Sequence, residues 1–156
     1  MGEDSIRPFL EYKNKWAIVL GLTSNAGAKD FELQKTGEEY LYEKVLRTVA
    51  RWGTPDNLMF VAGATQVTEL KNIRKILPDH FLLVPGIGAQ GGSLQEVSEY
   101  GVHKDCGLLV NISRAIIYAS ADENFARQAK TIAYQYQQEM SRFLLELKTP
   151  GLKLKA

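Results

Sequence analysis

Arg114 is the residue whose charge most needs an explanation. It follows an apolar run, Gly107 to Asn111, and precedes an apolar turn, Ala115 to Ala119. A guanidinium there can take a phosphate through two parallel N–H···O bonds, or it can reach solvent or a local carboxylate. The second candidate lies one strand earlier, in Pro85-Gly86-Ile87-Gly88-Ala89-Gln90-Gly91-Gly92-Ser93. Four glycines let an anion approach backbone N–H groups, and a helical pattern begins at Ser93 with Glu96 three residues on. The plainer reading of that loop is a chain reversal. The third candidate is Ser24-Asn25, whose side chains can hydrogen-bond a planar amide or base, or can simply make a turn.

Gly86, Gly88 and Gly91 spell G-x-G-x-x-G. A dinucleotide site would need an acidic residue at the end of the following strand, about 20 residues on, to hold the ribose. Asn111 stands there instead, and Pro85 fits poorly before the first glycine. His80 and His103 lie near strand starts with no second His or Cys at ligand spacing, so no metal site is expected.

These candidates sit where alternating elements would put them. Residues 5–12 read as a short helix with Ile6, Phe9 and Leu10 on one face. Trp16 to Leu22 is a continuous apolar strand of the kind buried in parallel sheets. It ends in Thr23-Ser24-Asn25-Ala26-Gly27-Ala28, and Lys29 to Gly37 reads as a longer loop. Thr36 and Glu39 have capping-box spacing ahead of a helix carrying Leu41, Val45, Val49 and Trp52. Leu58 to Ala62 is the second strand, with Ala64, Thr65 and Gln66 at its end. Val67, Leu70, Ile73 and Leu77 mark the next helix. Phe81 to Val84 is the third strand, stopping at Pro85. Ser93 to Tyr100 is the helix after it, with Gly101 as its expected C-cap. Gly107 to Asn111 is the fourth strand. Ser120 and Glu123 then have capping-box spacing ahead of a long helix whose stripe runs from Phe125 to Leu147. Order is expected to end at Pro150-Gly151, with residues 152–156 a mobile tail.

Four strand–helix alternations imply a parallel sheet with right-handed crossovers. In such architectures the carboxyl ends of the strands share one face, where ligands bind. Thr23, Ser24, Asn25, Ala64, Thr65, Gln66, Gly88, Gln90, Ser113 and Arg114 all fall at those ends.

The 156 residues are one domain's worth of chain, 45% hydrophobic and 24% charged, and no apolar run reaches membrane-spanning length. A net charge of +1 gives no basis for nucleic acid or an anionic membrane as partner. Cys106 is the only cysteine, which fits a reducing, cytoplasmic compartment. Residues 1–4 lack signal-peptide character. The sequon Asn111-Ile112-Ser113 ends an expected buried strand and is read as accidental.

Together, Thr23 to Ala28, Gly63-Ala64-Thr65, Pro85 to Gly92 and Asn111 to Ala119 resemble orotidine 5'-phosphate decarboxylase, in the branch with a Ser-Asn pair and a Gly-x-Gln-Gly-Gly loop. Gly2 to Leu10 resembles the helix before the fifth strand of that family. The match covers nearly the whole chain in the right order. It implies an α/β fold, the second half of a (β/α)8 TIM barrel, over residues 1–151. It implies conversion of orotidine 5'-phosphate to UMP and CO2, without a cofactor, in pyrimidine synthesis. By the same resemblance Ser24 and Asn25 would touch the pyrimidine. Gln90 and the backbone from Gly88 through Gly91 and Gly92 would bind phosphate with Arg114, with the backbone of Ser113 nearby. Pro85 would shape the pocket floor.

One departure is sharp. The family's chemistry rests on alternating lysines and aspartates, including an Asp-x-Lys-x-x-Asp run. None of Asp4, Asp30, Asp56, Asp79, Asp105 or Asp122 has Lys two residues later. The chain is therefore expected to hold the grips but no catalytic residue, and to be inactive alone. Four strands cut from a closed barrel would leave two bare edges. A tight partner follows: the missing N-terminal half or a second copy of the chain. A non-catalytic half-barrel that binds phosphorylated ligands is the alternative.

Overall fold

The computed structural model describes residues 2–88 and 90–148. Ala89 and the expected tail lie outside them. The chain runs α1 (Glu3–Leu10), β1 (Ala17–Leu22), a 3-10 helix (Ala26–Asp30), β2 (Lys35–Thr36), β3 (Glu39–Tyr40), α2 (Leu41–Val49), β4 (Leu58–Ala62), α3 (Val67–Ile76), β5 (Leu82–Pro85), α4 (Leu94–Gly101), β6 (Leu108–Asn111), α5 (Arg114–Ile117) and α6 (Phe125–Lys148).

The main sheet is all parallel, in the order β1-β4-β5-β6. Its register divides the apolar residues into two layers. Val19, Phe60, Leu82 and Leu108 pair across the four strands. The last three of these are buried in one core with Leu46, Leu70, Ile73 and Val97 of the helices. One residue further along, Leu20, Val61, Leu83 and Leu109 form the next row. Successive strand residues point to opposite faces, so this row occupies the other face. Its ends are open: Leu20 is 56% exposed and Leu109 48%. Four parallel strands in chain order, with helices covering one face and an apolar layer left open on the other, make half of a (β/α)8 barrel.

At the amino ends of the strands, Arg74 ties the layers together. Its guanidinium donates to the carbonyls of Gly101, Leu77, His80 and Gly107 at 2.5–3.0 Å. Burial lowers its pKa to about 10. Nearby, both ring nitrogens of His80 are buried without a partner, and the ring stands edge-on to Phe60.

Several local expectations shift. Thr36 and Glu39 do not cap a helix. They pair with each other in the small β2–β3 hairpin, which turns at Gly37 with φ +75°. The helix starts four residues later, where the Glu43 carboxylate accepts from the Tyr40 N–H at 2.8 Å. The spacing was that of a cap, but the left-handed glycine between the two residues makes it a turn. Pro85 is the last residue of β5, since it sits at a strand end where its missing N–H costs nothing. Gly101 closes α4 without a left-handed φ, and Val102 is the C-cap. A Cβ on Gly101 would stand 3.0 Å from Leu108 Cδ2, so this glycine serves helix–strand packing. Ser120 and Glu123 give way to Asp122, whose carboxylate accepts from the Asn124 N–H at 2.7 Å and whose carbonyl accepts from Phe125 at the start of α6. The Ser120 and Asn124 hydrogen bonds also hold the Asp122 carboxyl below its usual pKa. Ser93 caps α4 as the sequence implies, accepting from the Glu96 N–H.

Candidate functional site

The parallel register carries all four strand ends to one side of the sheet. The last rungs are Gly63 N–H to Leu22 O at 2.7 Å and Ala64 N–H to Pro85 O at 2.9 Å, with Pro85 opposite Asn111. Ser24, Thr65, Gly86 and Ser113 thus emerge side by side from β1, β4, β5 and β6.

The first meeting is between β1 and the glycine loop. The Ser24 hydroxyl donates to Gln90 Oε1 at 2.6 Å. Gly86 lies beneath this contact with φ +101°, and a Cβ there would stand 3.1 Å from Gln90 Oε1 and 3.2 Å from Ser24 Oγ. With Oε1 engaged by Ser24, the Gln90 Nε2 donors point elsewhere. The Ser24 oxygen keeps its lone pairs for an incoming N–H donor. Asn25 is exposed and opens the 3-10 helix, its carbonyl accepting from the Ala28 N–H.

The Thr23–Ser24 segment is held tightly. The Thr65 hydroxyl donates to Ser24 O at 2.9 Å, and Gln66 Nε2 donates to Thr23 O at 3.4 Å. The Glu32 carboxylate accepts from the Thr23 N–H at 2.7 Å and from the Thr23 hydroxyl at 3.0–3.1 Å. Gly63 lets β4 lie against this segment, since a Cβ there would be 2.4 Å from Ser24 N.

The glycine loop is closed on itself. The Gly88 N–H donates to Gly92 O, Gly91 N–H to Gly88 O, and Gly92 N–H to Gly86 O, at 2.8–3.1 Å. Three of the amides that the sequence offers to an anion are thus spent on the shape of the loop. Among the described residues nothing accepts from the Gln90 N–H. Gly88, with φ +71°, would bring a Cβ to 2.7 Å from the Tyr136 hydroxyl and 3.5 Å from Ala115 Cβ. That places the loop beside α5 and α6.

Arg114 is the first residue of α5, exposed, and no side chain among the described residues pairs with it. Ser113 precedes it, its hydroxyl donating to Asn111 Oδ1 at 3.1 Å. The structure thus brings Ser24, Gln90 and Gly86 together, and sets Gly88 against the neighbour of Arg114. Among the described residues, the side chains of Asn25 and Arg114 have no hydrogen-bond or ion-pair partner, and both lie at the carboxyl ends of the strands. Sequence reasoning missed Glu32 and Tyr136. Tyr136 fits the apolar stripe of α6 by spacing, and Glu32 sits in what reads as undifferentiated loop.

Comparison with known proteins fits this geometry. The profile of the "Orotidine 5'-phosphate decarboxylase / HUMPS family" matches residues 1–129. Over 147 residues the chain is 55% identical to an orotidine 5'-phosphate decarboxylase of Phocaeicola vulgatus, covering 94% of this chain and 54% of that protein. It is 53% identical over 145 residues to one of Bacteroides fragilis, covering 92% and 53%. The chain therefore spans about half the length of the curated relatives it matches. Among solved structures, the Leishmania donovani OMP decarboxylase superposes with a TM-score of 0.80 at 33% identity, over 93% of this chain and 54% of that one. The Methanocaldococcus jannaschii orotidine 5'-monophosphate decarboxylase complexed with inhibitor BMP gives 0.60 at 25% identity, over 88% and 53%. With the family profile covering most of the chain and strand-end motifs assembled on one face of a half-barrel, this chain belongs to the orotidine 5'-phosphate decarboxylase / HUMPS family.

Proposed function

We propose that this chain, as the C-terminal half-barrel, supplies the phosphate and pyrimidine grips of an orotidine 5'-phosphate decarboxylase. That enzyme converts orotidine 5'-phosphate to UMP and CO2. The observation that carries the reading is the Ser24–Gln90 hydrogen bond at 2.6 Å, which joins the hydroxyl that this reading gives to the base and the amide that it gives to the phosphate. Gln90 Nε2, the Gln90 N–H and the Arg114 guanidinium are donors suited to a phosphate. Ser24, with Asn25 beside it, suits the amide edge of a pyrimidine. Pro85 floors the space between. Binding energy gathered on a phosphate far from the reacting carbon holds the ring in place for chemistry. The charges that would stabilise a carbanion-like state belong in this reading to the complementary N-terminal half-barrel, because the 156 residues hold no Asp-x-Lys-x-x-Asp run.

The occupant of the bare sheet face is that complementary half. Leu20 and Leu109, together with Ile18 at 46% exposed, form an apolar layer that a closed barrel would bury. The relatives are about twice as long as the stretch they share with this chain, which leaves length enough for the other half of such a barrel. The outer strands β1 and β6 each offer a free edge to it. Among the described residues no helix is long and apolar enough to cross a membrane, and a cytoplasmic site of action follows from the proposed metabolic role.

The missing acidic and basic run also favours a second reading, a non-catalytic half-barrel that binds phosphorylated ligands. Calorimetric titration with UMP, with uridine as control, tests the shared part of both. Phosphate-dependent binding is expected, and Arg114→Ala should weaken UMP about 10- to 100-fold while leaving uridine nearly unchanged. Equal effects on both ligands would overturn the phosphate assignment. Decarboxylation on adding the complementary half separates the enzyme from the binding module.

A further inference from the structure

We propose that Glu32 is a positioning residue for Ser24. By fixing the Thr23–Ser24 peptide from the side of β1 away from β4, it sets the grip on the ring of a pyrimidine nucleotide while leaving the Arg114 contact to phosphate in place. The inference rests on the ligand reading above and assigns a role to a residue outside every motif that led to it.

The need for such a residue follows from topology. β1 is an outer strand, with β4 as its neighbour on one side only. The last rung, Gly63 N–H to Leu22 O, uses that side. The next amide along, Thr23 N–H, lies past that rung and outside the β1–β4 ladder. The Glu32 carboxylate takes it at 2.7 Å, and takes the Thr23 hydroxyl at 3.0–3.1 Å. A carboxylate accepting from an amide makes a charge-assisted bond, stronger than a neutral one. The hydrogen bonds to the carbonyls of this segment, from Thr65 and Gln66, are neutral and come from the residues that follow β4. Glu32 is thus the counterweight to them.

Glu32 is itself anchored. Its carbonyl accepts from the Tyr42 N–H in the first turn of α2 at 3.0 Å, and its neighbour Leu33 donates to Ala28 O at the same distance. Tyr42 is buried, and its hydroxyl donates to Glu69 of α3 at 2.5 Å. The strap therefore runs from the α2–α3 layer to the end of β1. Among the described residues no cation lies within ion-pair distance of the Glu32 carboxylate. Its charge is directed at Thr23.

Displacement of Thr23 would move Ser24 and break its bond to Gln90 Oε1. Arg114, on α5, would be untouched. The expected signature is a selective loss on the base side. In the wild-type chain, Glu32→Ala and Glu32→Gln, affinities for UMP and ribose 5-phosphate are measured alongside thermal unfolding. Glu32→Ala should weaken UMP about tenfold and ribose 5-phosphate, which keeps its Arg114 contact and loses only the orientation of Gln90, by no more than about threefold. Glu32→Gln, whose amide oxygen can still accept from the Thr23 N–H, should stay within about twofold of wild type for both. A staple that merely holds the loop would weaken both ligands alike, and that result overturns the proposal, as does unchanged UMP binding in Glu32→Ala.

A ligand-free arm keeps the inference separate from the proposed function. In amide proton–nitrogen spectra, Glu32→Ala should shift the Thr23 and Ser24 amides and the Gln90 side-chain NH2 pair, and Glu32→Gln should return Ser24 and Gln90 to their wild-type positions. Unmoved Ser24 and Gln90 signals overturn the positioning role whether or not nucleotide binds. A wild-type chain that binds neither ligand overturns the nucleotide reading, and the spectra still decide the role of Glu32. If Glu32→Ala does not fold, Glu32→Asp replaces it. One methylene less draws the carboxylate back, so the same signals should shift in the same direction by a smaller amount, and their failure to move counts against the proposal.

Discussion

Ser24 and Gln90 are 66 residues apart in the chain, and the hydroxyl of one donates to the amide oxygen of the other at 2.6 Å. The contact spans two strand ends that are not neighbours in the sheet, β1 and β5, with β4 between them. It crosses over Gly86, where any Cβ would press on both side chains. A ligand that touches Ser24 therefore also settles the amide plane of Gln90.

That coupling is measurable in a double-mutant cycle. Ser24→Ala and Gln90→Ala should each weaken UMP by about 1 kcal/mol, the ordinary worth of a neutral hydrogen bond. The double variant should lose less than the sum by at least about 0.5 kcal/mol, because each single change already breaks the shared bond. Additivity within about 0.3 kcal/mol would show that the two grips act independently.

Arg74 is expected to dominate the stability of the opposite end of the sheet. Its four acceptors belong to the end of α4, the α3–β5 connection and the residue before β6. Removing the guanidinium strands those carbonyls in a partly buried place. Arg74→Ala should destabilise the fold by about 3–5 kcal/mol, as expected when several partly buried carbonyls together lose charge-assisted hydrogen bonds. Arg74→Lys should recover only part, since an ammonium cannot span four acceptors in a planar fan. Denaturant midpoints with unchanged slopes would report this directly. A loss under about 1 kcal/mol would mean that water replaces the clamp.

How much of this could be read from residues alone depends on where the information sits. The strands were legible because apolar runs such as Leu58 to Ala62 and Gly107 to Asn111 admit little else. Ser24, Gln90 and Arg114 were legible as candidates because each is polar at the end of such a run. Their mutual arrangement was not, since it depends on register across β1, β4 and β5. The hairpin at Gly37 was misjudged because Thr36 and Glu39 carry the spacing of a cap, and only the left-handed φ of the glycine tells a turn from a helix start. Glu32 escaped notice because nothing local marks it. Its target, the Thr23 N–H, becomes an unmet donor only once β1 is known to be an outer strand. The amide budget of the glycine loop was also hidden, because glycine composition says nothing about which N–H groups the loop spends on itself.

His80 should make the fold sensitive to mild acid. Burial lowers its pKa below the usual 6.5, with the Arg74 charge acting in the same direction and Asp79 opposing. His103 is lowered as well, by burial first and then by Arg74. For a base with a depressed folded-state pKa, the unfolded chain takes up its proton first as pH falls. Stability contributed by the neutral rings is thus present above about pH 6.5 and is lost as pH drops from there toward the folded-state pKa. Urea midpoints measured between pH 7.5 and pH 5 should fall in the wild type. His80→Leu should flatten that fall, because the partnerless ring nitrogens are gone. An equal fall in both proteins would assign the acid sensitivity elsewhere.

The open face of the sheet yields the last prediction. Leu20 and Leu109 stand at the two ends of one register row, on β1 and β6, and both remain about half exposed while their inner neighbours Val61 and Leu83 are more covered. A charge placed on either end changes little within the chain, because the side chain already reaches solvent. Leu20→Lys and Leu109→Lys should therefore leave thermal unfolding of the isolated chain within about 1 kcal/mol of wild type. Their effect should appear on assembly. A lysine buried in the closed barrel would lack a counterion in an apolar layer, which costs several kcal/mol. Sedimentation of the chain mixed with the complementary half should show one joined species for the wild type and separate components for both variants. If either variant joins as tightly as wild type, this row does not meet the other half. If wild type and variants alike remain single chains of 17.5 kDa, the complementary half does not close on this face.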